Sequence, residues 1–118
     1  MKAALFDAWV SALEKPEIWR QGRGEFESPD GCFCAIGVLL RVDRWTKGLK
    51  RRVDSMGRVD YLYDGYMMSG YPCFSYREIN NLNEEFLDEL INMNDNPSGP
   101  TFPEIAKKLK EERNKYVD

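Results

Sequence analysis

Apolar residues recur along the chain at spacings that predict a mostly helical fold. Pro16 predicts the end of a first helix, because the residue before a proline avoids helical backbone angles. From Cys32 or Cys34 to Val42 almost every residue is apolar, so we expect a second helix that is buried on all sides. The first helix is predicted over residues 2–14, where apolar side chains lie three or four positions apart: Leu5, Phe6, Trp9, Val10 and Leu13.

Two more helices are predicted in the last third of the chain, each preceded by a capping residue. Asn83 is a predicted N-cap, whose amide oxygen would accept a hydrogen bond from the first helical turn. Thr101 and Glu104 have the spacing of a capping box for the last helix. Between the two helices, residues 94–100 (NDNPSGP) form the strongest cluster of helix breakers in the sequence. The chain must therefore leave one helix and enter another within a few residues.

One β-hairpin is predicted in the middle of the chain. Residues 59–63 alternate in character ahead of Asp64 and Gly65, and an Asp-Gly pair between alternating aromatic residues signals a two-residue hairpin turn. Ser75 and Glu78 then have capping-box spacing for a short helical turn. The predicted fold class is α+β, a mostly helical domain with a small antiparallel hairpin.

Length and composition predict one globular domain over residues 1–118. The apolar fraction of 42% and the charged fraction of 31% are ordinary for a folded soluble chain. No apolar run approaches the roughly 20 residues that span a bilayer, and Asp7 interrupts the first apolar stretch, so neither membrane association nor a secretory signal is expected. The odd number of cysteines, three, favours a reduced protein in the cytoplasm.

The absence of histidine restricts the chemistry that the chain can carry out. Histidine is the commonest general base and the commonest metal ligand, and the sequence has none. The three cysteines, Cys32, Cys34 and Cys73, are one ligand short of a structural zinc site, which usually takes four. We therefore predict no metal and no cofactor.

A cysteine-thiol enzyme remains a third alternative. Cys34 lies at a predicted helix start, where unpaired N–H groups and the helix dipole lower the pKa of a thiol. Gln21 would then donate to an oxyanion, and Asn94 or Asp95 would orient the reacting group. Because no histidine is present to move a proton near neutral pH, we predict that the protein has no catalytic residues and is not an enzyme.

Opposite charges are separated along the sequence. Residues 41–58 carry seven Lys or Arg side chains against two Asp, whereas residues 78–95 carry six Asp or Glu and no Lys or Arg. Such runs are usually solvated, so reversing the charges of residues 50–52 should leave folding intact. Aromatic residues near the basic segment also make it a candidate site for a phosphate-bearing ligand, a nucleotide or nucleic acid. The candidate binding residues are Arg44, Trp45, Lys47, Lys50, Arg51, Arg52, Tyr61, Tyr63 and Tyr66.

The hairpin region is rich in aromatic and methionine side chains. Because strand residues alternate between two faces, the core cannot cover all of them. Exposed Tyr and Met are typical of protein-binding surfaces, and a second small core under the hairpin is the alternative explanation. The residues concerned are Tyr61, Tyr63, Tyr66, Met67, Met68, Tyr71 and Phe74.

Three pieces of the sequence together resemble a known group of proteins. They are WRQGRG (19–24), CAIGVL (34–39) and MNDNPSGPTFPEIAKKL (93–109). Small bacteriophage and prophage proteins are similar, with a Q-G-x-G loop, a C-C-L-G-V-L-like helix and a closing L-N-D…S-F-x-E-I-A segment, as is an actinobacterial family of unknown function. Where the phage and prophage proteins have a second cysteine, this chain has Ala35. The matching positions are Gln21, Gly22, Gly24, Cys34, Gly37, Asn94, Asp95, Thr101, Glu104 and Ile105.

The resemblance implies a phage or mobile-element origin and brings no known activity with it. Together with the missing catalytic groups, it leads us to expect a non-enzymatic binding protein in the cytoplasm of a bacterial host. Its expected partner is a host protein, such as a defence or CRISPR protein that it inhibits. The alternative is a binder of a phosphate ligand, a nucleotide or nucleic acid.

Four of the matching positions lie far apart in sequence, and we interpret them as one structural clasp. Helix ends near Asn94 and Asp95 leave backbone groups without partners, and Asn and Asp side chains satisfy such groups. A loop with Gln21 and Gly22 can approach closely enough to share hydrogen bonds with them. We predict that this loop contacts the turn after Asn94, whereas free polar ends in an open pocket would indicate a ligand site.

Overall fold

The computed structural model describes residues 1–44, 49–68 and 71–118, which form six helices and one three-stranded sheet. The helices are α1 (Ala3–Leu13), α2 (Ala35–Asp43), α3 (Phe74–Ile79), α4 (Glu84–Asp95), α5 (Phe102–Glu111) and α6 (Arg113–Tyr116). The strands are β1 (Lys50–Val53), β2 (Val59–Tyr63) and β3 (Tyr66–Met68). The predicted α+β class, mostly helical with a small antiparallel sheet, is confirmed.

The helix starts follow local capping chemistry. At the start of α4, Asn83 Oδ1 accepts a hydrogen bond from the amide of Phe86 at 2.7 Å, as predicted. At the start of α5, the amide of Thr101 donates to Glu104 Oε1 at 3.2 Å, which completes the predicted capping box. This bond lowers the pKa of Glu104. The capping box predicted at Ser75 is wrong, because α3 already begins at Phe74.

The sheet is antiparallel in the order β1-β2-β3. Asp64 and Gly65 form the predicted two-residue turn, with φ angles of 51° and 80°, and Tyr63 pairs with Tyr66 across it. Positive φ at both turn positions suits the right-handed twist of a hairpin. Strand β1, which the sequence analysis did not predict, extends the hairpin to three strands.

The core lies between α1, α2, α4 and α5, and α2 runs through its centre. Trp9 of α1 is fully buried, and its Nε1 donates to the carbonyl of Ala35 at 2.9 Å, which ties α1 to the start of α2. Gly37 faces the backbone of Phe26 so closely that a Cβ atom there would lie 1.8 Å from the Phe26 carbonyl oxygen. The loop before α2 therefore packs directly onto the buried helix.

Candidate functional site

Asn94 is the centre of the contacts between the loop of Gln21 and the end of α4. Its side chain is buried, with 1% of its surface exposed. Its Oδ1 accepts from the amide of Ala35 at 3.2 Å and from Gln21 Nε2 at 3.3 Å, while its Nδ2 donates to the Gly22 carbonyl at 2.9 Å. One amide side chain thus joins the loop, α2 and α4.

Gln21 extends this network to the last helix. Its Nε2 donates to the Pro100 carbonyl at 3.2 Å, and its Oε1 accepts from the amide of Phe102 at 3.1 Å. The amide of Gly24 donates to Asp95 Oδ1 at 3.0 Å at the other end of the loop. The predicted clasp between this loop and the turn after α4 is confirmed. The side-chain amide atoms of Gln21 and Asn94 are all used in hydrogen bonds within the chain.

Cys34 caps α2 and does not have the properties expected of a nucleophile. Its Sγ accepts a hydrogen bond from the amide of Gly37 at 3.3 Å. Burial raises the pKa of the Cys34 thiol to about 11, and this effect exceeds the opposing effect of the helix N–H groups. The expected lowering of the thiol pKa is therefore wrong, and the thiol is protonated at neutral pH.

A buried ion-pair network accounts for two of the predicted binding residues. Glu27, with 4% of its surface exposed, accepts three hydrogen bonds from Arg51, two from Nε and one from Nη2, which lies 2.9 Å from Oε2. Tyr61 is fully buried, and its hydroxyl donates to the same carboxylate. Arg41 Nη1 lies 3.7 Å from Glu27 Oε1. Burial, followed by the hydrogen bond to Glu27, raises the pKa of Tyr61.

This network corrects the prediction that Tyr61 contacts a ligand, and it gives Arg51 a partner within the chain. Tyr61 has no exposed surface to offer, so it is a core residue. Arg51 points to the Tyr61 side of the sheet because the two residues are cross-strand partners. Its guanidinium is already bound by Glu27, whose hydrogen bond raises the pKa of Arg51. Arg51 is exposed like Lys50 and Arg52, but its charge is paired with a buried carboxylate.

The other basic residues of β1 lie on the outer face of the sheet. Lys50 and Arg52 alternate with Arg51, and both are exposed. Arg52 Nη2 lies 3.4 Å from the Met67 sulfur on the same face. Arg44, Lys50 and Arg51 line one shallow depression of about 470 Å³. Trp45 and Lys47, which were also predicted as binding residues, lie outside the described residues.

The remaining predicted residues, Tyr63 and Tyr66, lie beside a groove between the hairpin turn and α3, which we call the hairpin groove. Tyr63 packs edge-on against the buried Tyr76 of α3, with ring centroids 5.3 Å apart. Tyr66 is its cross-strand partner and so lies on the same face. The groove has a volume of about 490 Å³, and its lining residues are Tyr63, Asp64, Phe74, Ser75, Glu78 and Ile79.

Sequence reasoning identified only part of the hairpin groove. Phe74 was recognised as one of several aromatic residues, whereas Ile79 was missed. The available signal was the helix that follows the hairpin: Phe74 and Ile79 are large apolar residues at opposite ends of the short α3, and both are exposed. The pattern alone does not show which face of such a short helix meets the core.

Comparisons with known proteins add no further assignment. A scan against protein-family models and searches of curated proteins and solved structures found no match to this chain. Among the described residues, no group of three or more Cys, Asp or Glu side chains is arranged to hold a metal ion. In the same part of the chain, no helix combines the length and apolar character needed to cross a membrane.

Proposed function

We propose that this chain is a non-enzymatic binding protein of phage type that acts by occupying a surface of a host protein, such as a CRISPR or other defence protein. The hairpin groove is the contact surface. The observation that carries the proposal is the exposure of two large hydrophobic side chains that line the groove, Phe74 at 67% and Ile79 at 59%. Tyr66, which is 61% exposed, is the cross-strand partner of the lining residue Tyr63. The resemblance to phage proteins supports the choice of a bacterial host protein as the target.

Exposed apolar side chains that cluster, rather than occur singly, are characteristic of interaction sites. The core of a protein interface is enriched in aromatic residues, and a rigid anchor loses less entropy on binding than a mobile one. Tyr63 is held against Tyr76, and the hairpin turn carries Asp64 and Gly65 in fixed conformations. The groove thus presents large side chains on a backbone that is held by the packing of Tyr63 and by the hairpin turn.

The proposal is tested by affinity capture from a bacterial host lysate, with the captured proteins identified by mass spectrometry. The wild-type chain is compared with the double variant Phe74→Ala/Ile79→Ala, which removes two exposed anchors of the groove. Ile18→Ala is the matched control, because Ile18 is 64% exposed and does not line the groove. We expect a protein that is captured by wild type and by the control and lost with the double variant. Equal capture by all three forms would refute the groove as the contact surface.

A second candidate function is binding of a phosphate ligand, a nucleotide or nucleic acid at the outer basic face. The observation that favours it is the exposure of Lys50 and Arg52 on this face, where Lys50 also lines a depression together with Arg44. The test measures binding of a labelled oligonucleotide and of nucleoside triphosphates to wild type and to Lys50→Glu/Arg52→Glu, alongside nucleotide analysis of the denatured purified protein. Binding that weakens with salt and is lost in the variant supports this function, whereas no binding at low salt excludes it.

A further inference from the structure

We propose that the hairpin groove takes a protein segment in which an apolar anchor is flanked by Lys or Arg. This inference rests on the proposed function and adds the chemistry of the partner. It starts from the charges in the groove. Asp64 and Glu78 both line it, both are exposed, and neither forms an ion pair with a Lys or Arg among the described residues. Within the described ranges, the groove lining contains no basic residue.

Arg77, the basic residue of α3, already has partners within the chain. Arg77 Nη1 lies 2.9 Å from Glu84 Oε1, and its Nε donates to the Pro72 carbonyl at 3.0 Å. Its guanidinium also lies over the rings of Tyr71 and Phe74, 5.2 Å and 5.6 Å from their centroids. Arg77 is therefore held on the helix and does not neutralise Asp64 or Glu78.

The groove combines these two carboxylates with aromatic surface. A Lys or Arg of a partner can pair with Asp64 or Glu78 and contact the face of an aromatic ring, while an apolar neighbour covers Phe74 and Ile79. A phosphate-bearing ligand would meet like charges here, which costs free energy. The groove is also open, since Phe74 and Ile79 keep more than half of their surface exposed. A protein segment suits such a groove better than a small molecule, which binds where most of its surface is buried.

Fluorescence anisotropy with two peptides tests the inference. The probe is a labelled amphipathic helical peptide of about 16 residues made of Leu and Lys, and its twin carries Glu at every Lys. We expect the Lys peptide to bind wild type at least about ten-fold more tightly than the Glu peptide, with an affinity that falls as NaCl rises from about 0.1 to 1 M. Equal affinities for the two peptides would overturn the inference.

Two double variants separate the groove from general attraction to an acidic protein. Asp64→Asn/Glu78→Gln removes both groove charges, and Asn tolerates the positive φ at position 64. The matched control, Glu17→Gln/Glu111→Gln, removes two exposed carboxylates that do not line the groove. We expect the groove variant to bind the Lys peptide at least about five-fold more weakly and the control to bind like wild type. Equal weakening in both variants would show general attraction only and refute the inference.

The same groove variant distinguishes failure of this inference from failure of the proposed function. If the host protein captured by wild type is lost with Phe74→Ala/Ile79→Ala but retained by Asp64→Asn/Glu78→Gln, the proposed function stands and the basic partner is refuted. If that host protein is lost with both variants, both proposals are supported. If the purified chain self-associates in light scattering and the groove variant does not, the occupant is a second copy, and the inference of a different partner protein is wrong.

Discussion

The side chains of Gln21 and Asn94 are 73 positions apart in sequence and joined by a hydrogen bond, with Gln21 Nε2 3.3 Å from Asn94 Oδ1. Each side-chain amide also binds two backbone groups. Asn94 binds those of Gly22 and Ala35, and Gln21 binds those of Pro100 and Phe102. Buried backbone groups of three segments are thus satisfied by two side chains. This polar network closes the fold over α2.

Asn94→Ala should lower the free energy of unfolding by about 3 kcal/mol, because it leaves the buried amide of Ala35 and the carbonyl of Gly22 without their partner. Urea unfolding followed by circular dichroism measures this loss. Asn92→Ala, at an exposed position of the same helix, is the control and should change stability by less than about 0.5 kcal/mol. Equal losses in the two variants would contradict the central role of Asn94.

Gly37→Ala should destabilise the protein by about 3 kcal/mol or prevent folding, because the added Cβ would overlap the carbonyl of Phe26. Thermal unfolding and soluble yield measure the effect. Gly65→Asn is the comparison, since a Cβ at Gly65 meets open space and Asn tolerates its positive φ. A Gly37→Ala variant with the same melting temperature as wild type would show that the loop does not pack onto α2 as described.

The helices could be predicted from the sequence because their signals are local. The spacing around Trp9 and the caps at Asn83 and Thr101 need only a few neighbouring residues. Strand β1 could not be predicted, because all its residues are exposed and Arg51, on the Tyr61 side of the sheet, breaks the expected alternation of apolar and polar residues. That arginine is accommodated by Glu27, a partner 24 positions away that no local pattern identifies.

The clasp and the hairpin groove also differ in how far the sequence predicts them. The clasp could be predicted because Asn and Asp side chains beside a helix end usually form hydrogen bonds with its unpaired backbone groups. The resemblance then placed Asn94 and Gln21 in one group of matching positions. For the hairpin groove, the sequence showed that some aromatic residues must be exposed. It did not show which ones, because Tyr61 and Tyr63 share one face of β2 and only the packing of the core decides that Tyr61 is buried.

Arg51→Glu should cost about 3–5 kcal/mol of stability, because it places a second carboxylate beside the buried Glu27 and removes that residue's partner. Arg52→Glu, on the opposite face of the same strand, should stay within about 0.5 kcal/mol of wild type. Guanidinium chloride unfolding is unsuitable because it screens charges, so the comparison uses urea at low salt. Similar stability of the two variants would contradict the buried ion pair.

The Cys34 thiol should react slowly with a maleimide at neutral pH. In a Cys32→Ser/Cys73→Ser background, we expect modification of the folded protein to be at least about ten-fold slower than in urea and to accelerate as the pH rises towards 11, the pKa that burial gives this thiol. Rapid modification at neutral pH, with a rate that no longer rises in alkali, would indicate a thiolate and revive the thiol-enzyme alternative.

Cys34 should also contribute to the loss of stability in alkali. The pKa of this thiol in the folded protein lies above the ordinary value of 9.0. The stability that the thiol contributes is therefore fully present below about pH 9 and is lost as the pH rises towards 11. Cys34→Ala should be about 1 kcal/mol less stable at neutral pH and should show a shallower alkaline decline than wild type. Parallel pH profiles of unfolding free energy would contradict the raised pKa.

The most direct test of the account is a hydrogen-exchange footprint of the chain bound to its captured host protein. If the hairpin groove is the contact surface, amide exchange slows on binding in residues 63–66 and 74–79 and stays unchanged in β1, whose exposed basic residues Lys50 and Arg52 lie on the outer face of the sheet. Slowing confined to residues 50–53, with residues 74–79 exchanging as in the free chain, would contradict the account and favour the phosphate-ligand alternative.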